Sequence, residues 1–207
     1  MYGERREAIL RLLAGSGYMT VEELAARLYV SAPTIRRDLV ALAQEGAVRR
    51  NHGGSTCSYL AETLDPSLRL TLLNNCFPTI QKLSENRHFT VECPCGQYVP
   101  SHVGIFGEEA ETFIRRRHAD YYFASAAGLD AQAGVTVRAL VEMSVKRAMR
   151  ENADCTVLLL DRSKMGVRNY YQVFALAEID ILITDAPLPA EIRAQCEAKS
   201  VDVIVCE

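Results

Sequence analysis

Long apolar runs are missing from this chain. Nothing in it approaches the roughly 18 residues that a membrane span requires, so no membrane association is expected. The opening "MYGERREAIL" is charged and amphipathic, without an h-region or a small-residue cleavage site, and reads as having no signal peptide. Disulfide spacing is absent too. The seven cysteines are odd in number and scattered, which points to a reducing, cytoplasmic setting. Cys93 and Cys95 form the only close pair, with no Cys or His partner at ligand spacing. They read as strand-end packing, so neither a metal nor a cofactor is expected. Lysine is absent from the first 56 residues.

What is present is divided unevenly. Residues 1–56 hold eight arginines against six acidic residues, a net of +2, and the remainder carries 15 basic and 20 acidic residues, a net of −5. An arginine-only head on an acidic body suggests a small polyanion-binding module joined to something else. At 207 residues the chain is long enough for two domains, each with its own core.

Three helical segments read out of the head. Glu4 to Ala14 places Ala8, Ile9, Leu12 and Leu13 on one face. Thr20, with Glu23 three residues later, has capping-box spacing and starts a helix over Val21–Leu28, with Leu24, Ala25 and Leu28 inward. A tight turn at "YVS" (29–31) leads into "APTIRRDLVALAQEG", where Ser31 is a good N-cap and Pro33 is tolerated in the first turn. Ile35, Leu39 and Leu42 would face the core. Two short helices joined this closely form a helix-turn-helix. "AVRRNHGG" (47–54) then reads as a basic wing. A recognition helix presents its amino-terminal residues to base edges and phosphates. The candidate DNA contacts are therefore Ser31, Thr34, Arg36 and Arg37 on the helix, with Arg49, Arg50 and His52 on the wing, and the partner is a double-stranded DNA operator. A solvated charged face is the bland alternative for any single arginine.

From residue 57 onward, apolar runs of strand length alternate with helical stretches. Strands are expected near 70–75, 89–93, 121–125, 156–160, 180–184 and 201–205, and helices over 78–85, 108–117, 140–152 and 190–199. That alternation predicts an α/β domain with a parallel sheet covered on both faces, binding its ligand at the carboxyl ends of the strands. The polar groups expected there are Ser55 and Thr56 in "GGSTCSYLAETL", Asn74 and Asn75, Gly96, Lys146, and Asp161 with Lys164 in "DRSKMG". Together they favour a small phosphorylated ligand.

"VSAPTIRRDLVALAQEGAVRRNHGG" resembles the winged helix of the DeoR family of bacterial transcription regulators, and the resemblance continues through the rest of the chain. It carries on Gly54, Ser55, Thr56, Asn74, Asn75, Gly96, Gly104, "DYYFASAAGLD", "VEMSVKRAM", "DRSK" and "ITD". The resemblance implies an all-α winged helix-turn-helix over 1–54. Residues 55–207 would form a sugar-phosphate sensor similar in fold to ribose-5-phosphate isomerase. It further implies a phosphorylated sugar effector and a repressor of carbohydrate metabolism; because one winged helix makes few contacts, a homo-oligomer on repeated half-sites is expected. Two departures stand out. "HGG" runs straight into "STCSYLAETL", so a linker, a helix and the first sensor strand of the family plan are missing, and Cys95 stands where a glycine usually precedes Gly96. A sheet without that strand would expose an edge. Two rivals remain: a degenerate DNA-binding protein without effector response, and a sugar-phosphate isomerase, for which Glu142 and Asp161 are available as bases. The expectation is that the chain is not an enzyme.

Overall fold

The computed structural model describes residues 2–16, 19, 21–44, 47 and 55–206. The chain forms two compact units, residues 1–51 and 52–207.

The first unit is built on α1 (Tyr2–Ser16), α2 (Val21–Leu28) and α3 (Ala32–Gln44). Helical spacing puts Ile9, Leu24, Ile35, Leu39 and Leu42 into one buried cluster, with Leu12, Leu13, Ala25 and Leu28 packed around it. Each fully buried leucine or isoleucine stabilises such a core by about 1.5–3 kcal/mol. Between α2 and α3 the chain turns at Tyr29, which adopts φ 53° and is 94% exposed. Val30 N–H donates to Ala25 C=O at 3.1 Å and closes that turn. The Thr20 cap and the wing residues Arg49, Arg50 and His52 lie outside the described residues.

The second unit begins with α4 (Ser55–Thr63), β1 (Leu70–Leu73), α5 (Phe77–Leu83) and β2 (Phe89–Glu92). There follow β3 (Gln97–Val99), β4 (Gly104–Phe106), α6 (Glu108–Arg115), β5 (Ala119–Ala124), β6 (Gly128–Asp130) and β7 (Gly134–Val137). The chain continues through α7 (Leu140–Glu151), β8 (Ala153–Leu159), β9 (Tyr171–Phe174), β10 (Ile181–Thr184), α8 (Ala190–Ala198) and β11 (Asp202–Val205).

Six expected strands and four expected helices are all present, but they do not make one sheet. A four-stranded parallel sheet has the order β11-β10-β8-β5, and β1 pairs with β2, also parallel, as a separate two-stranded sheet. The antiparallel strands, β3 with β4 and β6-β7-β9, answer to no expectation from the sequence. Asp130 Oδ1 accepts the N–H groups of Gln132 and Ala133 and shapes the turn between β6 and β7.

The expectation of a sheet covered on both faces is corrected at its two edges. Every residue of β11 is exposed, and on β5 Tyr121 and Phe123 stay 60% and 41% exposed, their rings stacked 6.2 Å apart. Among the described residues both strands have a strand partner on one side only, and these side chains stay open to solvent. The interior lies elsewhere. One cluster gathers Leu129, Val135, Leu158, Phe174, Leu182 and Ile192, and a second gathers Phe106, Ala110, Ile114, Val145 and Ala148. Helix α7 serves both, sending Met143 against the first and Val145 and Ala148 into the second.

Candidate functional site

The amino end of α3 follows from its inward face. Ile35, Asp38, Leu39 and Leu42 fall at i, i+3, i+4 and i+7, and all four are buried. The outer face is left to Ser31, Arg36 and Arg37, which are exposed, and to Thr34, which is half-buried. Ser31 and Thr34 share a hydroxyl hydrogen bond at 2.9 Å, and Ser31 C=O accepts the N–H groups of Thr34 and Ile35. The four predicted helix residues are thus gathered at the amino end of α3.

Asp38 and Arg5 escaped the sequence reading. Asp38 is 1% exposed, and its carboxylate takes Arg5 Nε on Oδ2 and Arg5 Nη2 on Oδ1 at 3.2 Å, while Arg6 Nε stands 3.9 Å away. A charge on the inward face has to be paired. This pair joins α1 to α3 and so fixes the helix that carries Arg36 and Arg37. The inward position of Asp38 was a signal in the sequence; its partner, 33 residues away, was not.

In the second unit, β5, β8 and β10 run parallel and end at one sheet edge, where Ser125, Asp161 and Asp185 follow them. Lys146 of α7 reaches this edge and donates to Ser125 C=O at 2.8 Å. From α4, Cys57 Sγ lies 3.6 Å from Phe123 C=O, which brings the first turn of α4, with Thr56, to the end of β5. Burial pushes the Cys57 thiol up, against the opposing pull of Lys146 and of a hydrogen bond with Ser125. Cys57 and Lys146 are therefore neighbours at one strand end.

Asp161 and Lys164 form a local group after β8. Asp161 Oδ1 accepts Ser163 N–H at 2.8 Å and the Ser163 hydroxyl. Lys164 is only 7% exposed, yet its ammonium meets Asp161 Oδ2 at 3.8 Å and Ser163 Oγ at 3.4 Å. Among the described residues that is sparse company for a buried cation. Nearby in the chain, Arg162 binds Asp185 through its backbone N–H at 2.6 Å and its Nε at 3.1 Å.

Asn74 and Asn75 follow β1 and are half-buried. Asn74 Oδ1 accepts Cys76 N–H at 2.7 Å, and Asn75 Nδ2 donates to Ile105 C=O at 3.1 Å. Gly96 sits at φ +138°, where a Cβ would come within 2.6 Å of Phe106 C=O, so close approach of backbone requires glycine there. Glu142, considered as a base, has its carboxylate 3.6 Å from His102 Nε2. Cavities of about 300 and 420 Å³ lie away from these groups, the first lined by Thr136, Arg168 and Asn169, the second by Arg69, Arg87 and His88. No described helix is long and apolar enough to cross a membrane.

Comparison with known proteins agrees with both halves. The DeoR-like helix-turn-helix domain matches residues 5–58, and the DeoR C-terminal sensor domain matches residues 39–186. The HTH-type transcriptional regulator GlpR of Haloferax volcanii is 28% identical, with 97% of this chain and 96% of that protein covered. The L-fucose operon activator of Haemophilus influenzae is 24% identical, covering 97% and 99%. The glycerol-3-phosphate regulon repressor of Escherichia coli is 23% identical, covering 98% of each. With one family domain on the helical head and the other across most of the α/β body, the chain belongs to the DeoR family.

Proposed function

We propose that the protein is a sequence-specific DNA-binding regulator, a repressor of a carbohydrate-metabolism operon relieved by a phosphorylated sugar. The observation that carries this reading is α3: a buried apolar face clamped by Asp38, with Ser31, Arg36 and Arg37 exposed at its amino end. Arg can pair bidentately with guanine, and a helix amino terminus favours phosphate. Ser31, Thr34, Arg36 and Arg37 contact the operator, Arg49, Arg50 and His52 add phosphate contacts from a wing, and a cytoplasmic homo-oligomer spans repeated half-sites.

The effector site uses Ser55, Thr56, Asn74, Asn75, Gly96, Lys146, Asp161 and Lys164, at the carboxyl edge where open α/β sheets bind ligands. Names among the relatives support a sugar-phosphate effector, since one is a glycerol-3-phosphate regulon repressor. The buried, thinly paired Lys164 supports an anionic one.

The sensor, over 55–207, has the ribose-5-phosphate isomerase type of fold without its first strand and helix. Alignments of 246–248 positions to a chain of 207 residues support this, because each relative then carries segments with no counterpart here. The two domain matches also overlap over 39–58. A missing strand agrees with parallel strands split between two sheets and with the exposed edge at β5. The chain acts as a regulator, not an enzyme.

Footprinting on fragments selected from the source genome tests the DNA claim. Arg37→Ala lowers specific affinity by about 1–3 kcal/mol, and Arg50→Ala weakens all sequences alike and reduces the salt slope by about one. An unchanged footprint for Arg37→Ala refutes the recognition helix. Calorimetry against a panel of sugar phosphates tests the sensor: heat that disappears in Lys164→Met supports it, and no heat from any member refutes it. Turnover of a pentose or hexose phosphate that is lost in Glu142→Gln would favour the isomerase instead.

A further inference from the structure

The amino ends of β1 and β2 gather basic groups that sensing at the carboxyl edge does not use. The register of these parallel strands sets Leu70 beside Phe89 and Thr71 beside Thr90. Alternation sends Leu70, Leu72, Phe89 and Val91, all half-buried, to one face, and the exposed Thr71 and Thr90 to the other. Neighbouring strands lie about 4.8 Å apart, so the two threonines stand side by side. Arg69 and His88 come one residue before Leu70 and Phe89, where the strands begin, and Arg87 precedes His88. These five residues, with Leu70, line a recess of about 420 Å³.

The loops that frame the recess are tied to each other. Pro66 C=O accepts Asn86 Nδ2 at 3.1 Å and His88 Nδ1 at 3.0 Å, and Asn86 Oδ1 accepts His88 N–H at 2.9 Å. A carbonyl can only accept, so Nδ1 carries a proton, and among the described residues Nε2 has no protein partner. The nearest carboxylates along the chain are engaged elsewhere. Asp65 accepts the N–H and hydroxyl of Ser67, and Glu85 pairs with Lys82 at 2.8 Å. Among the described residues no ion pair reaches Arg69 or Arg87. Two guanidinium groups without a carboxylate partner, beside an imidazole and two hydroxyls, are a donor set for a tetrahedral oxyanion. A few hundred Å³ is the scale of a small-molecule site rather than of a duplex. We propose that this recess binds a small tetrahedral dianion, phosphate or a phosphate monoester, through Arg69, Arg87 and His88. It lies at the opposite ends of the strands from Asn74 and Asn75, so it stands independently of the sugar-phosphate reading of the carboxyl edge.

The test titrates the full chain with inorganic phosphate at constant ionic strength and follows the histidine ring Cε1–H signals by NMR, with His88 assigned through His88→Gln. The expected result is a saturable shift of the His88 signal that sodium chloride at equal ionic strength does not produce. Arg69→Gln and Arg87→Gln should each weaken that response about tenfold, the worth of one charge-assisted hydrogen bond. Arg193→Gln, which removes an exposed charge from α8, should leave it unchanged. Circular dichroism checks that each variant keeps its fold. A His88 signal that phosphate does not move overturns the proposal, and so does wild-type affinity in both Arg69→Gln and Arg87→Gln. A response to a random-sequence DNA duplex with none to phosphate would overturn the assignment to a small ligand.

Discussion

Ile35, Leu39 and Leu42 on α3 are at most 9% exposed, whereas Val203, Ile204 and Val205 on β11 are 38–48% exposed. Both are apolar runs on regular elements, and periodicity alone marks both as core. The difference is the supply of a second layer. A three-helix unit provides it within some 40 residues, since α1 and α2 lie against α3. A sheet edge must receive its cover from a further strand or helix, and among the described residues β5 and β11 each have a strand partner on one side only. Hydrophobicity states what a side chain favours; topology decides whether the rest of the chain can provide it.

The sharpest test of this contrast is a matched pair of truncations. Leu24→Ala in the closed unit should cost about 3 kcal/mol, and Ile204→Ala on β11 should stay within about 0.5 kcal/mol. Urea unfolding followed by circular dichroism measures both. A cost above about 1.5 kcal/mol at Ile204 would break the contrast, because it would mean that β11 is covered in solution.

Asp38→Ala comes next. It removes the carboxylate that Asp38 offers Arg5 and should destabilise the helical unit by about 2–3 kcal/mol, less than a fully buried pair because Arg5 keeps solvent contact. The unfolding transition of the α/β unit should not move. Lys164→Met should act in the opposite direction. Replacing a thinly paired buried cation by an apolar chain of similar length raises the stability of the α/β unit by about 1 kcal/mol. Loss of stability there would show that the ammonium is better partnered than its 3.8 Å contact suggests.

Tyr29→Gly should give the smallest stabilisation. Relief of a left-handed backbone gains about 1–2 kcal/mol, and the extra chain entropy of glycine returns about 0.5–1. At 94% exposure the ring has little burial to lose, so a net gain of about 0.5–1 kcal/mol is expected in thermal unfolding.

Legibility in the sequence followed the range of the interactions. Helix α2 was expected over Val21–Leu28 and is found there, because capping and periodicity are local signals. Helix α7 ends one residue short of its expected span for the same reason. Strands β3, β4 and β6 have only three residues each, too few to show an alternation, and β7 depends on pairing Thr136 with Gln172 far along the chain. The same rule holds at the sites. The exposed arginines of α3 follow from its own spacing. The meeting of Cys57 with Phe123, like that of Arg5 with Asp38, exists only once distant segments have folded together.

Helix α7 lends Met143 to one hydrophobic interior and Val145 and Ala148 to the other. Neither interior can come apart while that helix holds, and the helix cannot unwind without breaching both. Its amides should therefore exchange with deuterium only when the whole α/β unit opens, and the fraying edges should exchange long before. Cooperativity in this half of the molecule rests on a shared wall.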